Sequence, residues 1–156
     1  DKSLKRRRQQ TGREIDILLV EDNPDHVELI IRVLQDNNVL NEVYVVTNGE
    51  DALDFLYQRG AYADARRPGL ILLDIKLPRV DGIEVLRQIK ADAKLKAIPV
   101  VMLTTSAGER EMVESYHYGA NSYIVKPVDF EQFVKAIKEL KLYWLVLNSL
   151  PTEHRP

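Results

Sequence analysis

The sequence predicts an α/β fold, a doubly wound parallel sheet of five strands with helices on both faces. Three observations carry that expectation. Leu70-Ile71-Leu72-Leu73 and Ile98-Pro99-Val100-Val101-Met102-Leu103 are apolar runs without polar alternation, as in strands buried on both faces at the centre of a parallel sheet. Strand-like and helix-like stretches alternate along the chain, which demands crossover connections and a sheet covered on both sides. Several strands end in a chemically able side chain, at the carboxyl edge where open α/β folds bind ligands.

Residues 1–13 form a polar, basic stretch with Lys5-Arg6-Arg7-Arg8, expected to be a flexible tail. Ile15 to Val20 is the first strand. Glu21-Asp22-Asn23-Pro24 follows, where Pro24 suits a first helical turn and Asp22 or Asn23 a cap. Val27, Ile30, Ile31 and Leu34 then form one helical stripe that ends at Asn37-Asn38. Glu42 to Thr47 is the second strand, and Asn48-Gly49-Glu50 turns into a helix with Ala52, Leu53, Phe55 and Leu56 inward, ending at Gly60. The segment from Gly60 to Gly69 shows no periodicity and is expected to be a flexible connection. The Leu70 strand runs into Asp74, and Pro78 with Asp81-Gly82 supplies turn chemistry before a helix bearing Ile83, Leu86 and Ile89. After a charged linker, the Ile98 strand ends in Thr104-Thr105-Ser106, and the next helix runs from Gly108 to about Tyr118. Asn121 to Val125 is the fifth strand, ending in Lys126-Pro127. The last helix starts at Asp129, turns Phe130, Phe133, Val134 and Ile137 inward, and is expected to continue through Trp144. Flavodoxin-like strand order is the commoner choice at this size.

Composition narrows the classes of function. The 156 residues fit one domain able to bury a core without staples. There is no cysteine, hence no disulfide, thiolate metal site or Cys nucleophile. No apolar run reaches the ~18–20 residues of a membrane span, and no signal peptide is visible, so a cytoplasmic location is expected. A net charge of −2 argues against an electrostatic nucleic-acid binder.

A parallel sheet would bring Glu21, Asp22, Asp74, Thr104 and Lys126 to one edge. Taken singly, a Thr or Lys after a strand is an ordinary cap or surface residue. Together they make a chemical set. Three carboxylates repel one another and need a cation, and hard oxygen donors point to Mg²⁺ rather than zinc. Mg²⁺ favours phosphate oxygens as partners, and a hydroxyl with an ammonium suits the remaining oxygens of a phosphoryl group. No Walker or dinucleotide glycine loop is present, so the phosphoryl group is expected to be small and carried by the protein, with an Asp as nucleophile.

Glu21-Asp22-Asn23, Leu72-Leu73-Asp74 with Leu77-Pro78 and Asp81-Gly82, Leu103-Thr104-Thr105, and Lys126-Pro127 together resemble the CheY-like receiver domain of two-component response regulators. The resemblance covers about Ile15 to Leu140, within a receiver unit placed at 14–141. It implies that Asp74 accepts a phosphoryl group from a histidine kinase or phosphotransfer protein. It implies that Glu21, Asp22, Asp74 and the backbone carbonyl of Lys76 hold Mg²⁺, and that Thr104 and Lys126 bind the phosphoryl oxygens. Tyr123 matches the aromatic switch position that follows the Thr104 hydroxyl, and the Lys126-Pro127 bond is expected to be cis. The stretch Leu56-Tyr57-Gln58-Arg59-Gly60-Ala61-Tyr62 and the tail from Tyr143-Trp144-Leu145 to Leu150-Pro151 resemble the stand-alone regulators paired with phytochromes, which carry no output domain. Only Pro151 to Pro156 follow Leu150, so no DNA-binding module is expected.

Residues 142–156 form an apolar extension, and Leu142 to Leu147 is apolar all round. Such a helix needs cover. Either it folds back on its own domain, or it joins the fourth helix, fifth strand and fifth helix in a homodimer interface, the expectation preferred here. Lys76, two residues after Asp74, departs from frequent family usage and is expected to alter the lifetime of an acyl phosphate. Two rival readings share the topology. An Asp-nucleophile phosphatase would want a second Asp where Lys76 stands. A flavin module would want a Ser/Thr/Gly-rich loop where Glu21 and Asp22 stand.

Overall fold

A computed structural model describes residues 15–147. Its strands are β1 (Ile17–Val20), β2 (Val43–Val46), β3 (Leu70–Asp74), β4 (Val100–Thr104) and β5 (Ser122–Val125). They form one sheet in the order β2-β1-β3-β4-β5, every neighbouring pair parallel. This is the flavodoxin-like order. The helices are α1 (Pro24–Asp36), α2 (Gly49–Tyr57), α3 (Gly82–Ala91), α4 (Ala107–Ser115), α5 (Phe130–Glu139) and a single turn, α6 (Tyr143–Val146).

Strand alternation sends successive side chains to opposite faces and so builds two cores. Leu18, Val20, Ile71, Leu73, Val100 and Met102 pack under α2, α3 and α4 with Phe55, Leu86 and Val113. Ile17, Leu19, Leu70, Leu72, Val101 and Leu103 pack under α1 and α5 with Ile30, Leu34, Phe133 and Ile137. The unbroken apolar strands are therefore buried on both sides, β3 and β4 along their whole lengths.

Several expectations need correction. The helix ending is at Gln58, left-handed at φ 59, and not at Gly60, which instead opens a 3₁₀ turn to Tyr62. The segment from Gly60 to Gly69 is ordered rather than flexible. Tyr62 packs on Phe55 with centroids 5.5 Å apart, Gln58 Nε2 donates to the Ala65 carbonyl at 2.8 Å, and Arg67 Nε donates to the Leu56 carbonyl at 3.0 Å. The fourth helix stops at Ser115, short of Tyr118, and β4 starts at Val100 because Ile98 and Pro99 still belong to the loop.

The last helix does not reach Trp144. It stops at Glu139 in a Schellman terminus, with Lys141 left-handed at φ 61, Leu142 N–H donating to the Ile137 carbonyl and Lys141 N–H to the Lys138 carbonyl, both at 3.0 Å. The chain reverses, and Val146 and Leu147 become fully buried against the α1–α5 core. Asn41 Nδ2 fastens the reversal by donating to the carbonyls of Leu145 and Ile15, each at 2.8 Å. Val146 and Leu147 thus find cover in their own domain, the fold-back alternative for that part of the apolar extension. The basic stretch at 1–13 and the end from Asn148 to Pro156 lie outside the described residues. Among the described residues no helix is long and apolar enough to cross a membrane.

Candidate functional site

Register decides which side chains meet. Val20 lies level with Leu73, so Glu21 and Asp74 emerge side by side, and Asp74 is level with Leu103 on the next strand. Thr104 stands one step further out, level with Val125, and Lys126 follows. The five residues expected at the edge are brought together there.

Local chemistry fixes each one. Asn23, and not Asp22, caps α1: its Oδ1 accepts the N–H groups of Asp25 and His26 at 2.9 and 3.4 Å. Asp22 is thereby left to the pocket. The loop behind Asp74 is clamped at two glycines. Gly82 N–H donates to the Ile75 carbonyl at 2.8 Å, and a Cβ there would sit 2.0 Å from the Asp74 carbonyl oxygen. Gly49 N–H donates to the Pro78 carbonyl at 3.2 Å, and its Cβ would sit 1.9 Å from the Val80 oxygen. The Lys126-Pro127 bond is cis.

Carboxylate oxygens of Glu21, Asp22 and Asp74 lie within 4.8 Å of one another. Into this group reaches the Lys126 ammonium, 2.6 Å from Glu21 Oε1 and 3.2 Å from Asp74 Oδ1. Asp74 Oδ1 also accepts the Ile75 N–H at 2.9 Å. Burial first, and then the charge of Glu21, push the Asp74 carboxyl up to about 6, with Lys126 pulling the other way. One ammonium against three carboxylates leaves a cation deficit in a partly dry site, which an oxygen-seeking divalent ion fits. The Thr104 hydroxyl is fully buried and its Oγ1 has no hydrogen-bond partner. A buried hydroxyl left unmatched costs free energy and marks a place for an incoming polar group.

Tyr123 is level with Met102, so it shares a sheet face with Thr104 two residues further along β4. The Arg110 guanidinium lies over its ring at 4.8 Å, and burial raises the pKa of its hydroxyl. Lys76 turns its exposed ammonium to Glu109, 3.8 Å away. Glu109 in turn accepts the Thr105 N–H at 2.7 Å, which holds its carboxyl below the ordinary range.

Two neighbours of the site escaped sequence reasoning. His26 Nδ1 lies 3.2 Å from Lys126 Nζ and 3.7 Å from Glu21 Oε2. Glu109 closes the Lys76 side. The signal for His26 is its place one helical turn after Asp22 on a helix that begins at the pocket. Glu109 is legible only as the partner of the Ser106 cap, whose Oγ accepts the Glu109 N–H at 3.2 Å.

A doubly wound sheet with three clustered carboxylates, a lysine and an unmatched threonine hydroxyl at its carboxyl edge defines a class of α/β proteins with an acidic pocket that could hold a metal ion. Comparison with known proteins narrows the class. Residues 17–138 match the response regulator receiver domain. The chain is 42% identical over 137 residues to the probable methanogenesis regulatory protein FilR2 of Methanothrix harundinacea, covering 86% of each. It is 40% identical over 135 residues to the response regulator Rcp1 of Synechocystis, covering 86% of this chain and 92% of that one. The solved Mn²⁺-bound form of Rcp1 superposes with a TM-score of 0.69 at 40% identity, covering 84% of this chain and 94% of that one. The bacteriophytochrome response regulator AtBRR does so with a TM-score of 0.81 at 47% identity, covering 86% and 98%. The chain belongs to the response regulator receiver family of two-component systems, a signalling module rather than a conventional enzyme, and is related to the phytochrome response regulators.

Proposed function

We propose that this receiver accepts a phosphoryl group on Asp74 from a phosphohistidine of a phytochrome-type histidine kinase or a phosphotransfer protein. The observation that carries the reading is the Lys126 ammonium bridging Glu21 and Asp74 beside the unmatched Thr104 hydroxyl. A carboxylate oxygen of Asp74 attacks phosphorus, the P–N bond to the donor imidazole breaks, and that nitrogen leaves and takes up a proton. Lys126 already touches Asp74 and can follow the charge onto a phosphoryl oxygen. Thr104 can donate its hydroxyl to another. Glu21, Asp22, Asp74 and the Lys76 carbonyl would hold Mg²⁺, which supplies charge neutralisation on the phosphoryl oxygens. Movement of Thr104 toward the phosphoryl group opens space on the face it shares with Tyr123, so that ring turns inward and leaves Arg110. The surface of α4, β5 and α5 then changes, biasing a two-state equilibrium toward partner binding or a homodimer. Met112 on α4, Tyr116 just past its end and Val125 on β5 are exposed apolar groups on that surface.

Intact mass after incubation with Mg²⁺ and acetyl phosphate tests the acceptor. The native chain should gain one phosphoryl group, and Asp74→Asn or chelator should abolish the gain. A phosphorylated Asp74→Asn protein would overturn the assignment. Faster transfer from a phytochrome kinase than from an unrelated histidine kinase is the outcome expected for the partner.

A further inference from the structure

We infer that His26 is a positioning residue for Lys126. The inference rests on the reading of Asp74 as phosphoacceptor and adds a residue to that site. The ammonium has three protons and three close acceptors: Glu21 Oε1 at 2.6 Å, Asp74 Oδ1 at 3.2 Å and His26 Nδ1 at 3.2 Å. A neutral imidazole carries one N–H, so only one ring nitrogen accepts. An ammonium only donates, so a hydrogen bond across the 3.2 Å contact requires Nδ1 to hold the lone pair and Nε2 the proton.

Of the three acceptors, His26 alone is not a carboxylate, and it sits on α1 rather than at a strand end. Glu21, Asp22 and Asp74, if they held a divalent cation, would have fewer oxygens to offer the ammonium, and the two cations would repel. Transfer of a phosphoryl group to Asp74 then alters a second acceptor. His26 Nδ1 is the partner that neither event consumes, so it keeps Lys126 in place as the carboxylates are taken over. The ring itself is set by α1, whose His26 N–H is capped by Asn23 Oδ1. With Leu29, Ile30, Thr105, Pro127 and Val128 it also lines a mostly apolar pocket of about 260 Å³ on which Lys126 borders.

The test measures phosphorylation by acetyl phosphate, at saturating Mg²⁺, in the native chain, His26→Leu and His26→Asn. Leucine keeps bulk and removes the acceptor, whereas asparagine places an oxygen where Nδ1 stood. His26→Leu should lower the maximal rate about tenfold with little change in the half-saturating acetyl phosphate concentration, and His26→Asn should recover to within about threefold of native. In nitrogen NMR of the native chain, the His26 Nδ1 resonance should move on Lys126→Gln. His26→Leu reacting within about twofold of native would overturn the role. So would His26→Asn as slow as His26→Leu together with an Nδ1 resonance indifferent to Lys126→Gln. A native chain that takes no phosphoryl group, while Nδ1 still reports the contact, would overturn the Asp74 reading and this role with it. Native uptake with an unimpaired His26→Leu would overturn the role of His26 alone.

Discussion

Asp74 is held where its charge is unwelcome. Its carboxyl titrates near 6 in the folded protein, chiefly because it is buried and then because Glu21 is adjacent. An unfolded aspartate titrates at about 3.9. Between those values the folded chain binds more protons than the unfolded chain, so metal-free stability falls as pH rises from about 4 to about 6. Asp74→Asn removes that fall. Urea unfolding should find the variant about 1–3 kcal/mol more stable than native at pH 7 without metal, with the gap closing near pH 4. Saturating Mg²⁺ should shrink the gap at pH 7. A variant equal to or weaker than native at pH 7, or a gap that widens toward pH 4, would contradict the burial account. The five residues at the edge were legible because each stands next to an apolar run whose end is plain in the sequence. His26 was not, since a histidine in a first helical turn is ordinary until a lysine from the far end of the chain is set beside it.

At the scale of elements, the loop after Asp74 depends on contacts that exclude even one methyl group. Gly82 lies against the backbone of Asp74 and Ile75, with two oxygens inside 2.7 Å of where a Cβ would stand. Gly82→Ala must move β3, α3 or the loop between them. It should cost about 2–4 kcal/mol in chemical denaturation and slow acetyl phosphate uptake together. A stable, fully reactive alanine variant would show that the loop is looser than this geometry. The strands and first turns of the helices were legible, because capping side chains such as Asn23, Asn48, Ser106 and Asp129 are local signals. Helix ends were less so. Gln58 and Lys141 take the left-handed conformation without being glycine, and neither announces a stop. The order in the Gly60 to Gly69 segment escaped notice for a related reason: it comes from Tyr62 resting on Phe55, a contact with no periodicity to betray it.

For the whole molecule, parallel pairing and two-sided burial followed from unbroken apolar runs. Strand order came only from size, because each crossover can pass to either side. The apolar tail was ambiguous in principle: sequence shows that it needs cover, not whose. Val146 and Leu147 are buried in their own domain, so removal of residues 142–156 uncovers part of the α1–α5 core. That truncation should lower unfolding free energy by about 3–5 kcal/mol. If α4, β5 and α5 make the dimer, sedimentation of whatever folded protein survives should still show association. A truncated chain as stable as the full one would mean that Val146 and Leu147 add little.

Asn41 makes a short clasp with a wider result. By gripping Ile15 ahead of β1 and Leu145 after α5, it gathers both described chain ends at the amino edge of the sheet, opposite Asp74. The molecule therefore has a wiring side and a reading side. Among the described residues, loops and helix starts border the carboxylates, while residues 15 and 147 stand at the opposite end.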